Sequence, residues 1–205
     1  VSNELLQVTD GVCGYGATPV VSAVNCTLAR GDYIVLEGTN GSGKSTLLKT
    51  LLGYLPALKG SITWQISPSE VGYVPQDIFL DLSAPASAMD VVLTAFPFGG
   101  RGVRESARKA LHTAGIGDKA NHRFGTLSGG QRRRVLFARA LAPQPSCFIL
   151  DEPTVNMDQK TEADMGILLH RLVTQQNRAV IATSHVTEWI SQARRWEIRE
   201  GVFHG

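Results

Sequence analysis

Nine residues, Gly38 to Thr46, read GTNGSGKST and hold the pattern G-x-x-x-x-G-K-[ST], with Gly38, Gly43, Lys44 and Ser45 at its fixed positions. Each letter has a physical reason. Glycines let backbone N–H groups turn inward and cradle phosphate oxygens, because no Cβ blocks strained dihedrals or close approach. The run opens a helix whose positive N-terminal end favours an anion. Lys44 reaches β- and γ-phosphates as a point charge, and Ser45 offers a hydroxyl to Mg²⁺. The whole run, Gly38, Thr39, Asn40, Gly41, Ser42, Gly43, Lys44, Ser45 and Thr46, is a candidate nucleotide-phosphate cradle.

Two further stretches carry chemistry. Cys147 to Leu150 is a short apolar run ending in Asp151-Glu152. In P-loop NTPases such a strand lies beside the loop, so Asp151 is placed to hold Mg²⁺ directly or through water. Glu152, one step on, points to a different face and suits a group that orients, or takes a proton from, the water attacking the γ-phosphate. Leu127-Ser128-Gly129-Gly130-Gln131 is a Gly-rich turn directly before a second helix. Physically it is another anion cradle: a hydroxyl, free N–H groups and a helix N-terminus. Two phosphate cradles far apart in one chain suggest that the second serves another copy's nucleotide.

These residues need elements to position them. Tyr33 to Glu37 is a short apolar strand feeding the loop, and Ser45 to Gly53 a Leu-rich helix behind it. Glu4 to Thr9, Val20 to Leu28 and Tyr33 to Glu37 form a β-rich region with breaks at Gly11 to Gly16 and Arg30 to Asp32. Gly60 to Ile66 and Glu70 to Val74 read as strands, the latter ending at Pro75-Gln76. Between 77 and 126 the character changes. Ser87 to Phe96 and Arg104 to Ala114 have helical spacing, with Asp90 and Glu105 early in their helices, which predicts a helical insertion. From Leu127 the α/β pattern returns. Gln131 to Leu141 is a basic helix stopped by Pro143, Thr161 to Gln176 a helix, Ala179 to Thr183 a strand and Thr187 to Arg194 a last helix. Glu197 to Phe203 closes with a turn at Glu200-Gly201. Strands alternating with helices around a P-loop predict a mostly parallel sheet covered on both faces.

Composition narrows the function classes. The 205 residues allow one sizeable core with an inserted subdomain. A net charge of +2 does not suggest a nucleic-acid binder held by a basic face. The arginine-rich stretches Arg101 to Lys109 and Arg132-Arg133-Arg134 read as solvated helix faces. Cys13, Cys26 and Cys147 lack C-x-x-C spacing and histidines nearby in sequence, so reduced cysteines in a cytosolic setting and no structural metal are expected. No apolar run approaches the roughly 18 residues that span a bilayer. Work at a membrane would need another chain to supply the membrane part.

LSGGQ between a P-loop and an apolar strand ending in Asp-Glu is highly specific, and with it the chain resembles the nucleotide-binding subunit of an ABC transporter over essentially its whole length. The resemblance implies an α/β fold: a P-loop NTPase, RecA-like core with an antiparallel β subdomain and an inserted helical subdomain. As one ABC ATPase domain over 1–205, it would divide into 1–76 and 127–205 (α/β core with β subdomain) and 77–126 (helical), the helix after LSGGQ continuing to about 141.

By the same resemblance, Tyr15 in its Gly-flanked turn is the aromatic that stacks on adenine. Gln76 contacts Mg²⁺ and the attacking water and links the site to the helical subdomain. His185 contacts the γ-phosphate. Asp158 belongs to a segment that couples two sites across a dimer, although Val155, Asn156 and Met157 replace the usual Ser-Ala-Leu before it. Catalysis would then rest on Glu152, His185, Gln76 and Lys44, and the metal on Ser45, Gln76 and Asp151. Asp158, Ser128, Gly129, Gly130 and Gln131 would complete a partner's ATP site. His112, His122, His170 and His204 match no site position.

The implied machine is a Mg²⁺-dependent ATPase, two copies closing head to tail around two ATP molecules. It would drive separate transmembrane permease subunits, with a substrate-binding protein as a further partner and no nucleic acid. It would sit peripherally at the cytoplasmic face of the cell (inner) membrane. The absence of a T-x-V-G-E-x-G loop before LSGGQ and the lack of a regulatory domain after the last core helix suggest a separate-subunit bacterial transporter. VGYVPQ and MDVVL look similar to importers of zinc, manganese or iron chelates. The alternatives are a small haem- or lipid-type exporter ATPase, a non-transport ABC ATPase acting on nucleic acid or ribosomes, and a scaffold that binds ATP without hydrolysis.

Overall fold

In the computed structural model, residues 3–76, 81–154, 157, 159–183 and 193–205 are described. The elements run in the order β1 (Glu4–Tyr15), β2 (Thr18–Ala29), β3 (Tyr33–Glu37), α1 (Lys44–Leu51), β4 (Lys59–Trp64), β5 (Val71–Val74), α2 (Ala88–Leu93), α3 (Val103–Thr113), α4 (Gly129–Leu141), β6 (Cys147–Leu150), α5 (Gln159–Thr174), β7 (Ala179–Thr183), β8 (Arg194–Arg199) and β9 (Val202–His204). The expected helix at Thr187 to Arg194 falls largely outside the described residues. Arg194 itself begins strand β8, because its backbone pairs with Ile34 of the strand before the P-loop.

The strands join in one sheet in the order β4-β1-β2-β9-β8-β3-β7-β6-β5. The half from β8 to β5 is parallel throughout, and β1 pairs antiparallel with both β2 and β4. This is an α/β P-loop core with an antiparallel β extension and a helical insertion. Short apolar strands such as CFIL and AVIAT are buried along their whole length because helices cover both faces.

Residue parity within the parallel strands sorts the side chains to the two faces. Ile34, Leu36, Cys147, Ile149, Ala179 and Ile181 pack with Leu47, Leu48 and Leu51 of α1. Their neighbours Val35, Phe148, Leu150, Val180 and Ala182 pack in the other layer, with α2 to α5. A strand alternates faces at every residue, so the next positions, Asp151 and Thr183, continue the rows that face α1.

The break expected at Gly11 to Gly16 is mostly strand. β1 runs through to Tyr15, with register shifts near Gly11 and Gly14, and only Gly16-Ala17 turns the chain. A Cβ on Gly14 would lie 2.0 Å from the Thr18 carbonyl oxygen, so here glycine permits close backbone approach rather than ending the strand. In the insertion, Ser87 and Asp90 cap α2 reciprocally, which fixes where that helix starts. Among the described residues no helix is long and apolar enough to cross a membrane.

Candidate functional site

The loop 38–43 folds back over the start of α1. Gly43 has φ 106°, and a Cβ there would meet Val21 Cγ2 at 2.5 Å and Val20 Cγ1 at 2.9 Å. Only glycine meets both conditions, which explains this letter of the motif. Lys44, the first residue of α1, is buried, and its ammonium donates to the carbonyl oxygens of Gly38 at 2.7 Å and Thr39 at 3.0 Å. The loop's own backbone thus holds the cation in place above the helix N-terminus. Ser42 Oγ is buried with no hydrogen-bond partner among the described residues.

An open cleft of about 570 Å³ lies over this loop, lined by Asn40, Gly41, Gly43, Lys44, Ser45 and Thr46 together with Tyr15, Val20, Gln76 and Glu152. Residues separated by up to 137 positions in the chain therefore meet at one surface. Tyr15 ends β1 with its ring half exposed at the cleft. Val20 opens into the same space and was not among the expected site residues. An apolar side chain a few residues after the hairpin turn gives no signal by itself.

Asp151 is buried. Its N–H donates to Val74 O at 2.9 Å, which extends the β6–β5 ladder by one step. Glu152 then leaves the ladder with φ 48°, a left-handed conformation uncommon for a residue with a Cβ. Its N–H donates to Thr183 Oγ1 at 2.6 Å, and the Thr183 hydroxyl donates to Asp151 Oδ1 at 3.0 Å. The Glu152 carboxylate accepts from Gln76 Nε2 at 3.2 Å. Ser45, Gln76 and Asp151 offer a hydroxyl, an amide carbonyl and a carboxylate. These are hard oxygen donors of the kind Mg²⁺ takes, so the residues fit that ion.

Gln76 has a second tether. Arg133 donates to the carbonyl oxygens of Pro75 and, at 2.7 Å, of Gln76. Arg133 is 3% exposed, so the expected solvated face at Arg132-Arg133-Arg134 is wrong for this residue. A buried guanidinium needs acceptors, and two successive carbonyls match its planar fork. Arg134 is also engaged, with Gly115 O and, at 3.2 Å, with Asp164. Arg132 and Arg134 are half-buried, so none of the three arginines presents the solvated face that the sequence suggests.

Ser128 caps α4. Gln131 N–H donates to its hydroxyl at 3.3 Å, and Ser128 N–H donates to Gln131 Oε1 at 3.0 Å. Ser128, Gly129, Gly130 and Gln131 are absent from the lining of the Lys44 cleft. The turn is capped and exposed at Ser128, and it does not line the cleft over Lys44. His185 and Asp158 lie outside the described residues. His112, His122, His170 and His204 are all exposed.

The family model described as ABC transporter matches residues 21–155. The chain is 31% identical over 202 residues to the high-affinity zinc uptake system ATP-binding protein ZnuC of Bacillus subtilis, covering 92% of this chain and 87% of that protein. It is 37% identical over 191 residues to the zinc import ATP-binding protein ZnuC of Chromohalobacter salexigens, covering 93% and 77%. The manganese transport system ATP-binding protein MntB of Bacillus subtilis is 34% identical over 195 residues, covering 89% and 76%. Among solved structures, an ABC transporter assigned to the metal-chelate type, in an inward-facing conformation, superposes with TM-score 0.85 at 31% identity, over 98% of this chain and 82% of that one. A dimeric bacterial ABC transporter cassette superposes with TM-score 0.84 at 25% identity, over 97% and 96%.

Proposed function

This chain belongs to the ABC transporter family as an ATP-binding, ATP-hydrolysing subunit, and from that premise we propose that it powers import of a metal ion or metal chelate through separate membrane subunits in a bacterial cell. The observation that carries the hydrolytic part is the single cleft in which Lys44, Ser45, Gln76 and Glu152 meet. The metal cargo rests on the zinc and manganese transport proteins it resembles over most of their length.

ATP binds with its phosphates on the N–H groups of 38–46 and its base against Tyr15. Lys44 neutralises phosphate charge from a position already fixed by the Gly38 and Thr39 carbonyls, so little reorganisation is needed on binding. Ser45, Gln76 and Asp151 would hold Mg²⁺, which supplies charge stabilisation to the phosphates. Glu152 orients the attacking water and takes up its proton, and Gln76 keeps that carboxylate turned toward the cleft. His185 adds a further contact to the γ-phosphate.

The signature turn Ser128 to Gln131 serves a second copy of the chain. Its cap geometry leaves N–H groups of Gly129 and Gly130 at a helix N-terminus, a suitable end for a γ-phosphate presented by the partner. Two chains then close head to tail around two ATP molecules, with Asp158 near the shared boundary. We divide the chain accordingly into a core of 1–76 and 127–205 and a helical part of 77–126. A groove of about 530 Å³ with Tyr54, Phe96 and Phe98 on its walls, beside β5 and α4, is the face offered to the permease at the cytoplasmic side of the membrane. Phe98 is almost fully exposed, as expected of a side chain that a partner would cover.

The test is ATP-driven uptake of zinc or manganese in vesicles holding the cognate permease and this chain. Uptake that stops with Glu152→Gln supports the proposal. Vigorous ATP hydrolysis with no metal moved, where another solute is moved instead, would overturn the cargo while leaving the ATPase.

A further inference from the structure

Strand β7 reads Ala-Val-Ile-Ala-Thr, and Thr183 is its one polar side chain, with no exposed surface. Valine has the same shape and suits a buried strand better, so a hydroxyl here calls for a reason. Register supplies one. Leu150 pairs with Ala182, which sets Thr183 one step along from the end of β6, and Leu36 pairs with Thr183 on the other side. Parity turns Thr183 and Asp151 to the same face of the sheet, the face that carries α1 and Lys44.

The hydroxyl uses both its hydrogen-bonding capacities within two adjacent residues. It accepts the Glu152 N–H at 2.6 Å and donates to Asp151 Oδ1 at 3.0 Å. Glu152 is where the ladder stops and φ reverses sign to 48°. A left-handed conformation is disfavoured for a residue with a side chain, so the surroundings must hold it. Without that reversal Glu152 would follow Phe148 and Leu150 into the opposite layer, away from the cleft.

We propose that Thr183 is a positioning residue for ATP hydrolysis, its buried hydroxyl clamping the Asp151–Glu152 turn so that the Glu152 carboxylate is presented to the nucleotide cleft. This rests on the reading of Glu152 as the residue that activates water. A clamp of this kind acts on the chemical step and leaves phosphate binding by the 38–46 loop alone. It also orients the Asp151 carboxylate, so loss of the hydroxyl raises the Mg²⁺ concentration needed for half-maximal turnover.

The experiment compares Thr183→Val and Thr183→Ser with the unsubstituted protein in a phosphate-release assay. Thr183→Val keeps the side-chain shape and removes the hydroxyl, and kcat is expected to fall about 10-fold, as for one lost hydrogen bond, with KM for ATP changed less than about twofold. Thr183→Ser restores the hydroxyl and most of kcat. In a Glu152→Gln background at saturating Mg²⁺ the valine adds little further loss, because the proton-accepting group it positions is already gone. Thr183→Ala, with the same expectation, replaces the valine variant if that protein does not fold. A folded valine or alanine variant with unchanged kcat, a loss confined to KM, or an undiminished loss in the Glu152→Gln background would overturn the proposal. Glu152→Gln alone tests the reading beneath it: full turnover there removes Glu152 from catalysis, whereas an inactive Glu152→Gln beside a fully active Thr183→Val removes only Thr183.

Discussion

Gln76 Nε2 lies 3.2 Å from Glu152 Oε2, so the second residue past β5 and the second residue past β6 hold each other across 76 positions of sequence. The two strands are parallel neighbours, Val74 pairing with Leu150, and each turns out of the sheet toward the P-loop at the same end. Active sites of open α/β sheets lie at the carboxyl ends of the strands for this reason.

From this pair follows the behaviour of Glu152→Gln. The amide keeps the shape and can still meet Gln76, but it cannot take a proton. ATP binding, read by fluorescent-nucleotide titration, stays within about threefold of wild type, while phosphate release falls at least about 100-fold.

Gly43→Ala tests the loop itself. The new methyl would overlap Val21 and Val20 and would have to adopt φ 106°. Strain and overlap together are expected to remove about 2–4 kcal/mol of stability. A urea titration should show this as a lower midpoint, with nucleotide affinity falling in parallel.

Arg133→Gln strips two backbone carbonyls of a buried donor pair. We expect a loss of about 2 kcal/mol in urea denaturation and a lower kcat through a loosened Gln76. Arg133→Lys recovers only part of either, because a single ammonium does not reproduce the planar fork.

A pH series probes the cap of α2. Hydrogen bonds from the Ser87 hydroxyl and N–H hold the Asp90 carboxyl below the ordinary carboxylate value. A folded-state pKa below the unfolded one means stability that is fully present above about pH 4 and is lost as pH falls through the folded value. Asp90→Asn should therefore lower the thermal midpoint at pH 7, and the gap to wild type should narrow as the pH falls below about 4.

What the sequence revealed divides along contiguity. Gly38 to Thr46 and Leu127 to Gln131 carry their geometry within a few adjacent residues, so composition and order suffice to read them. Asp151 and Glu152 were legible because an apolar run must end somewhere, and a carboxylate pair at its end beside a P-loop has a known use. Thr183 was not legible. Its value depends on the β6–β7 register, which places it opposite a turn 31 residues earlier. Three successive arginines look alike in sequence, and only the packing of α4 beside β5 selects Arg133 as the fully buried one. Gly11 and Gly14 looked like a loop and are strand, since close backbone approach and turning use the same residue type.

In the proposed arrangement the cleft over Lys44 is half of an ATP site, completed by Ser128 of a second copy. Lys44→Ala and Ser128→Arg, each carried in a Glu152→Gln background, should remain monomeric with Mg²⁺ and ATP when alone. Mixed, they can form one intact composite site, Lys44 from one chain and Ser128 from the other. Sedimentation of the mixture should then show a dimer holding about one ATP per two chains, as two-fold symmetry with one site destroyed requires. A mixture that stays monomeric while the Glu152→Gln parent dimerises would rule out a site shared between two chains.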